Sequence, residues 1–122
     1  MTTPAATSLT ITQSDQDQRP VLVLVGELDE TTAPQFTNAA LEIVNHGARD
    51  VIVDARGVTL CDPSGLAVFK QIASRLRSRA GRLAIVPSEP VQQALEAGEI
   101  TDSVVVASSV AGALYAIHRD HP

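Results

Sequence analysis

The sequence predicts an α/β domain built on a mixed, mostly parallel sheet of about five strands with about four helices, in the order β-β-α-β-α-β-α-β-α. Three observations point there. Short apolar runs of strand length alternate with longer segments at helical spacing, the pattern of crossover units with parallel pairing. The first two strand-like runs are separated only by a polar stretch, which favours an antiparallel hairpin. A length of 122 residues, against the roughly 150 of a typical domain, leaves room for one domain and no linker.

Each element has its own signature. Leu9 and Ile11 alternate with polar neighbours, as in a strand half exposed at a sheet edge. The stretch from Gln13 to Pro20 is polar and reads as a turn. Val21, Leu22, Val23, Leu24 and Val25 are apolar on both faces, which predicts an interior strand. From Thr32 to His46, Phe36, Ala40, Ile43 and Val44 recur at helical spacing, with Thr31 or Thr32 as cap, Pro34 near the first turn and Gly47 as the stop. Val51–Ala55, Arg82–Val86 and Val104–Ala107 read as three further strands. Helices are predicted over Pro63–Arg79, Glu89–Ala97 and Ser109–His118. The domain is expected over residues 9–118, with a flexible N-terminal tail over 1–8 and a C-terminal tail over 119–122, since neither end carries anything to bury.

Composition narrows the function. With 44% hydrophobic and 19% charged residues, the chain supports a packed core without disulfides or metal. Nine basic residues against fourteen acidic ones give a net charge of -5, and the aromatics are Phe36, Phe69 and Tyr115 alone. Neither the electrostatic footprint nor the stacking platform of a nucleic-acid binder is visible, so direct nucleic-acid binding is not expected. The longest apolar run, Val21–Val25, is far short of the ~18 residues that span a bilayer. The N-terminus has neither the basic start nor the apolar stretch of a signal peptide, so a cytoplasmic location is expected. Cys61 is the single cysteine and cannot form an intrachain bridge; apolar neighbours and the absence of a nearby basic residue predict a buried structural thiol. Lys70 is the one lysine beside eight arginines, and Ala and Val abound, a bias typical of a GC-rich bacterial genome.

Several chemistries lack their residues. There is no phosphate-loop motif, no G-x-G-x-x-G fingerprint and no pair of cysteines or histidines at metal-ligand spacing, so no cofactor and no metal are expected. No G-x-S-x-G elbow supplies a serine nucleophile for His46, His118 or His121, which read as solvated side chains. A small flavodoxin-like or hydrolytic enzyme is thereby disfavoured.

The informative segment is Leu60-Cys61-Asp62-Pro63-Ser64-Gly65-Leu66, between the third strand and the second helix. Asp62 is a favoured N-cap, Pro63 suits the first helical position, and Ser64 falls at the second. At 100° per residue, Leu66, Phe69, Ile72, Ala73 and Leu76 cluster on a face centred about 140° from Ser64, while Gln71, Arg75 and Ser78 share its side. A phosphate on Ser64 would add roughly -1.5 to -2 charges beside free backbone N–H groups and the positive helix end, which tolerate it. The plainer reading is a well-formed helix start. A second segment, Gly26-Glu27-Leu28-Asp29, leaves the interior strand at the same carboxyl edge, where open α/β sheets form binding surfaces. Its plainer reading is a strand-to-helix turn with a capping acid.

Val25-Gly26-Glu27-Leu28-Asp29-x-x-Thr32-Ala33, then Asp62-Pro63-Ser64-Gly65-Leu66 after an apolar strand, then Gly81 opening a strand, resembles the STAS domain of bacterial anti-sigma factor antagonists. Pro90 to Ile100 is similar to the family's third helix, and the resemblance spans roughly Leu9 to Ile117. It implies a domain that does no chemistry itself. It further implies that Ser64, before the motif glycine, is phosphorylated by an anti-sigma factor with serine kinase activity and dephosphorylated by a serine phosphatase. The unphosphorylated form binds the anti-sigma factor and frees the sigma factor for transcription, a partner switch. The partner surface expected on this resemblance comprises Asp29, Asp62, Pro63, Gly65, Val68, Gln71 and Arg75. One residue departs from the family pattern: Pro63 stands where a serine is common, stiffening the loop and removing a hydroxyl. The alternative is a STAS module that scaffolds a stress-signalling or transport-associated assembly without being phosphorylated.

Overall fold

The computed structural model of the chain describes residues 8–120. Its elements run β1 (Leu9–Gln16), β2 (Arg19–Leu28), α1 (Ala33–Asn45), β3 (Val51–Cys61), α2 (Pro63–Arg77), β4 (Leu83–Pro87), α3 (Glu89–Ala97), β5 (Val105–Val106) and α4 (Val110–Asp120). The five strands lie in the order β1-β2-β3-β4-β5, with β1 antiparallel to β2 and every other pair parallel. This is the mixed α/β architecture and the element order read from the sequence. Of the expected tails, residues 1–7 and 121–122 lie outside the described residues; Ser8 accepts a hydrogen bond from Glu27 N (2.9 Å), and α4 continues through Arg119 and Asp120.

Each parallel connection steps one strand in the same direction, so right-handed crossovers put α1, α2 and α3 on one face. The larger core lies there, with Leu22, Leu24 and Leu28 of β2, Val51, Val53 and Ala55 of β3, and Leu83 and Ile85 of β4 beneath Phe36, Val44, Phe69, Ile72, Leu76, Val91 and Leu95. Phe36 and Phe69 meet edge to face, with ring centroids 5.2 Å apart, locking α1 to α2. The second face is smaller: Val21, Ile52, Ala84 and Val86 pack under Ala113 and Ile117 of α4.

The hairpin is tighter than expected. Only Asp17 and Gln18 turn, both left-handed (φ 52° and 65°), and this two-residue geometry matches the twist of the flanking strands. Gln13–Gln16 therefore belong to β1; they lack alternation because they are exposed on both faces of an edge strand. β3 also runs six residues past Ala55. Two register irregularities against β2 carry it onward, one across Ala55 and Arg56 and one at Thr59. Arg56 folds back on the buried Asp54, with Nε and Nη2 donating to the two carboxylate oxygens (2.9 and 2.8 Å). That hydrogen bonding holds the Asp54 carboxyl below the usual carboxylate range, against the opposing effect of burial. A depressed carboxylate contributes stability at neutral pH and loses it as pH falls through its lowered pKa.

Candidate functional site

β2 and β3 end side by side, with Leu28 in register with Cys61, and Asp62 N donates to Leu28 O (3.0 Å). The two loops singled out in the sequence are thus tied together at the carboxyl edge of the sheet.

The first loop is held by Asp29 and Thr32. Asp29 Oδ1 accepts from Thr31 N (2.9 Å) and Thr32 N (3.1 Å), while Ala33 N donates to Asp29 O (2.8 Å). The buried Thr32 occupies the N-cap position of α1, but its hydroxyl donates to Glu27 O (2.7 Å) and accepts from Asp29 N (3.0 Å) instead of capping the helix. Asp29 therefore sets the shape of the loop through one carboxylate oxygen. The role of Thr32 as the knot of this turn was not legible from capping preference alone.

The second loop starts α2. Asp62 is the N-cap, and its Oδ1 accepts from Ser64 N (2.8 Å) and Gly65 N (3.2 Å); Pro63 opens the helix, where its missing N–H costs nothing. Ser64 follows, half-buried, and its hydroxyl has no protein hydrogen-bond partner among the described residues. Gly65 is buried against β2: a Cβ there would lie 2.8 Å from Leu28 Cβ and 3.2 Å from Cys61 Sγ. The glycine lets the first turn of α2 sit down on the ends of β2 and β3. Because Asp62 satisfies two of the orphan N–H groups of α2, Asp62→Ala is expected to cost about 1 kcal/mol, whereas Ser64→Ala should leave the urea midpoint nearly unchanged. Paired urea titrations check this.

Cys61 is half-buried beside this turn, and burial first, then the Asp62 carboxylate, push its thiol up to about 11. Against an ordinary value of 9.0, the thiolate fraction at neutral pH falls about a hundredfold. Alkylation by iodoacetamide at pH 7.5 is expected to be slower than that of a free thiol by about that factor; reaction at the free-thiol rate would show an accessible, ordinary cysteine.

Along α2 the exposed residues are Pro63, Ala67, Lys70, Gln71, Ser74, Arg75 and Arg77, and the C-cap Ser78 is exposed as well. Gln71 and Arg75 thus lie on the outer face, with Arg75 Nη2 donating to Asn45 Oδ1 (3.0 Å). Val68 does not. It is 4% exposed, because α2 lies between α1 and α3 and buries an arc running from Gly65 through Val68, Phe69 and Ile72 to Leu76. A protein docking on this helix cannot reach Val68, which is a core residue. At 1.5 Å per residue Ser64 and Arg75 stand about 16 Å apart along the helix, so a partner touching both covers three turns.

Among the described residues no group of three His, Cys, Asp or Glu side chains is placed to hold a metal ion, and no helix is long and apolar enough to cross a membrane. His46 caps the C-terminus of α1 with Nδ1 2.6 Å from Glu42 O, and His118 is exposed on α4; His121 lies outside the described residues.

No curated protein matches the chain. Among solved structures, an anti-sigma factor antagonist from Mycobacterium paratuberculosis is similar over 91% of this chain and 95% of its own, with a TM-score of 0.84 at 21% identity. The Thermotoga maritima protein TM1081 gives a TM-score of 0.79 at 21% identity, covering 89% and 95%. The Bacillus anti-sigma factor antagonist SpoIIAA in its unphosphorylated form gives 0.69 at 18% identity, covering 92% and 96%. At these identities the likeness is one of fold. The family model described as Mlab, STAS domain, matches residues 11–102, three quarters of the sequence, and the chain belongs to the STAS-domain family.

Proposed function

We propose that this chain is an anti-sigma factor antagonist switched by phosphorylation of Ser64. Unphosphorylated, it binds an anti-sigma factor that is also a serine kinase and so releases the sigma factor; the kinase transfers the γ-phosphoryl group of ATP to Ser64 Oγ, and a serine phosphatase removes it. The domain does no chemistry, needs no cofactor, and acts in the bacterial cytoplasm on protein partners, without nucleic acid or membrane. Family membership and the likeness in fold to two anti-sigma factor antagonists, one of them solved in both unphosphorylated and phosphorylated forms, support the reading. The observation that carries it is Ser64: a hydroxyl without a protein partner, at the head of a capped helix, beside the loop built by Asp29.

The partner surface in this proposal comprises Asp29, Asp62 and Pro63 at the loops and Gln71 and Arg75 on the outer face of α2; Gly65, expected there from the sequence, is buried against β2 and seats the helix without being reachable by a partner. Asp29 and Asp62 position the loops, while the exposed helix residues supply contact. Arg75→Ala is expected to shift stability by less than about 0.5 kcal/mol, since it loses one exposed hydrogen bond, yet to weaken partner binding. Parallel melting and binding curves check this; an early melt with normal binding would place Arg75 in the structure and not in the interface.

The experiment for the switch is incubation of the chain with its anti-sigma kinase and ATP, followed by mass spectrometry of the peptide containing Ser64. Phosphate on Ser64, absent from Ser64→Ala, is the expected result. No phosphate, under a kinase active on another substrate, would leave the second reading, a STAS module that binds without being modified. That reading is favoured by Pro63, which stiffens the turn, and by the half-buried position of Ser64.

A further inference from the structure

The first turn of α2 touches a second glycine, at the end of α3. A Cβ on Gly98 would lie 2.4 Å from Leu66 Cδ2 and 3.2 Å from Leu66 Cδ1, so the leucine methyls occupy the space that a side chain at 98 would fill. Leu66 follows Ser64 and Gly65 in that turn.

The way α3 ends shows that space is what this glycine supplies. Glu99 N donates to Glu96 O (3.1 Å) and Ile100 N to Leu95 O (3.2 Å), the paired bonds that close a helix through a left-handed residue. That residue is commonly glycine, because a Cβ disfavours the conformation. Here it is Glu99, at φ 58°, while Gly98 has φ -83° and ψ -5°, angles open to any residue. The glycine thus stands one position before the one where the backbone would use it. What distinguishes position 98 is the contact with Leu66.

Leu66 in turn fixes the segment that carries Ser64. Its N–H donates to Asp62 O (3.1 Å), the first bond of α2, and Asp62 Oδ1 accepts from Ser64 N and Gly65 N. Ser64 is therefore bracketed by Asp62 and Leu66. Gly65 rests on Leu28 and Cys61 with no room for a Cβ, so pressure on Leu66 cannot be relieved by moving the turn closer to the strands.

We propose that the contact between Leu66 and Gly98 positions Ser64, which makes both of them positioning residues for phosphoryl transfer. In that transfer Ser64 Oγ bonds to the γ-phosphorus of ATP as the bond to ADP breaks, and the hydroxyl proton leaves to solvent. The transfer rests on the switch proposed above; the positioning of the turn does not. A Cβ at 98 falls about 1 Å short of ordinary contact with Leu66 Cδ2, and a misplacement of that size can slow a reaction by about a hundredfold.

The test compares Gly98→Ala with Gly98→Ala/Leu66→Val. The double variant conserves the number of side-chain carbons across the contact and gives the new Cβ the space the leucine methyls leave. Amide hydrogen exchange needs no partner: Ser64 and Gly65 should exchange about tenfold faster in Gly98→Ala, a larger change than at Ile72 in the middle of α2, and the double variant should restore the parent rates. With the anti-sigma kinase and ATP, kcat for Ser64 should fall about tenfold in Gly98→Ala while KM changes little, and the double variant should recover it. If Gly98→Ala does not fold, Leu66→Val alone, which removes the contact without a clash, should speed the same two amides; parent rates there would overturn the proposal. So would Ser64 and Gly65 exchange that is unchanged in Gly98→Ala or not restored by Leu66→Val, or an unaltered kcat in a chain whose turn has loosened. A parent chain that takes no phosphate on Ser64 would instead remove the switch and leave the exchange result standing.

Discussion

Gly81→Ala is expected to unfold at least about 10 °C below the parent chain, the loss of some 3 kcal/mol that forced overpacking brings in a domain of this size. A Cβ at Gly81 would lie 1.7 Å from Arg49 O and 2.7 Å from Arg49 C. Both are backbone atoms, which cannot rotate aside as a side chain would. Around them the α1–β3 and α2–β4 loops are pinned: Val51 N donates to Arg82 O (3.1 Å), Asp50 Oδ1 accepts from Arg82 N (2.9 Å), and Gly81 N donates to Leu76 O (2.8 Å). The requirement is space and not backbone freedom, because the left-handed residue of this turn is Ala80 (φ 61°). Thermal melts followed by circular dichroism measure the effect. A midpoint within a degree or two of the parent would mean that the two loops do not touch.

Ser64→Asp is expected to abolish most anti-sigma binding, by roughly a hundredfold or more, while leaving the fold intact. The two effects have different sources. Within the domain, a carboxylate in the first turn of α2 meets free N–H groups and the positive helix end, which tolerate it. At an interface it must be stripped of water beside Asp62 and within reach of the Asp29 loop, and misplaced charge of that kind costs several kcal/mol. Ser64→Ala removes a hydroxyl that bonds to no protein group and should bind like the parent. Isothermal titration of the three forms, with melting curves alongside, separates the terms; a Ser64→Asp chain that binds normally would remove the electrostatic basis of the switch.

How much of this was legible before any coordinates depended on the length scale of the signal. The boundaries of α1 and α3, the inward residues Phe36, Ala40, Ile43 and Val44, and the Asp62-Pro63-Ser64 start of α2 rest on local rules of periodicity and capping, and the structure has them. The end of β1 was hidden because Gln13–Gln16, exposed on both faces of an edge, carry no alternation. The continuation of β3 was hidden because Asp54, Arg56 and Gly57 look like a strand end until the Asp54–Arg56 pair and the irregular register are seen. Val68 was misplaced for a related reason: one helix face was assumed, whereas a helix flanked by two others buries a wider arc. At the site, the residue types were legible, but the bond from Asp62 N to Leu28 O that joins its two loops is a tertiary fact.

In the proposed switch, phosphate on Ser64 decides whether this domain displaces a sigma factor from its anti-sigma factor. The most direct measurement adds the chain, unphosphorylated or phosphorylated at Ser64, to a preformed complex of the two and follows release of the sigma factor. Release by the unphosphorylated chain and at least a tenfold higher requirement for the phosphorylated one is the predicted result. Equal release by both forms, or none by either, would contradict it.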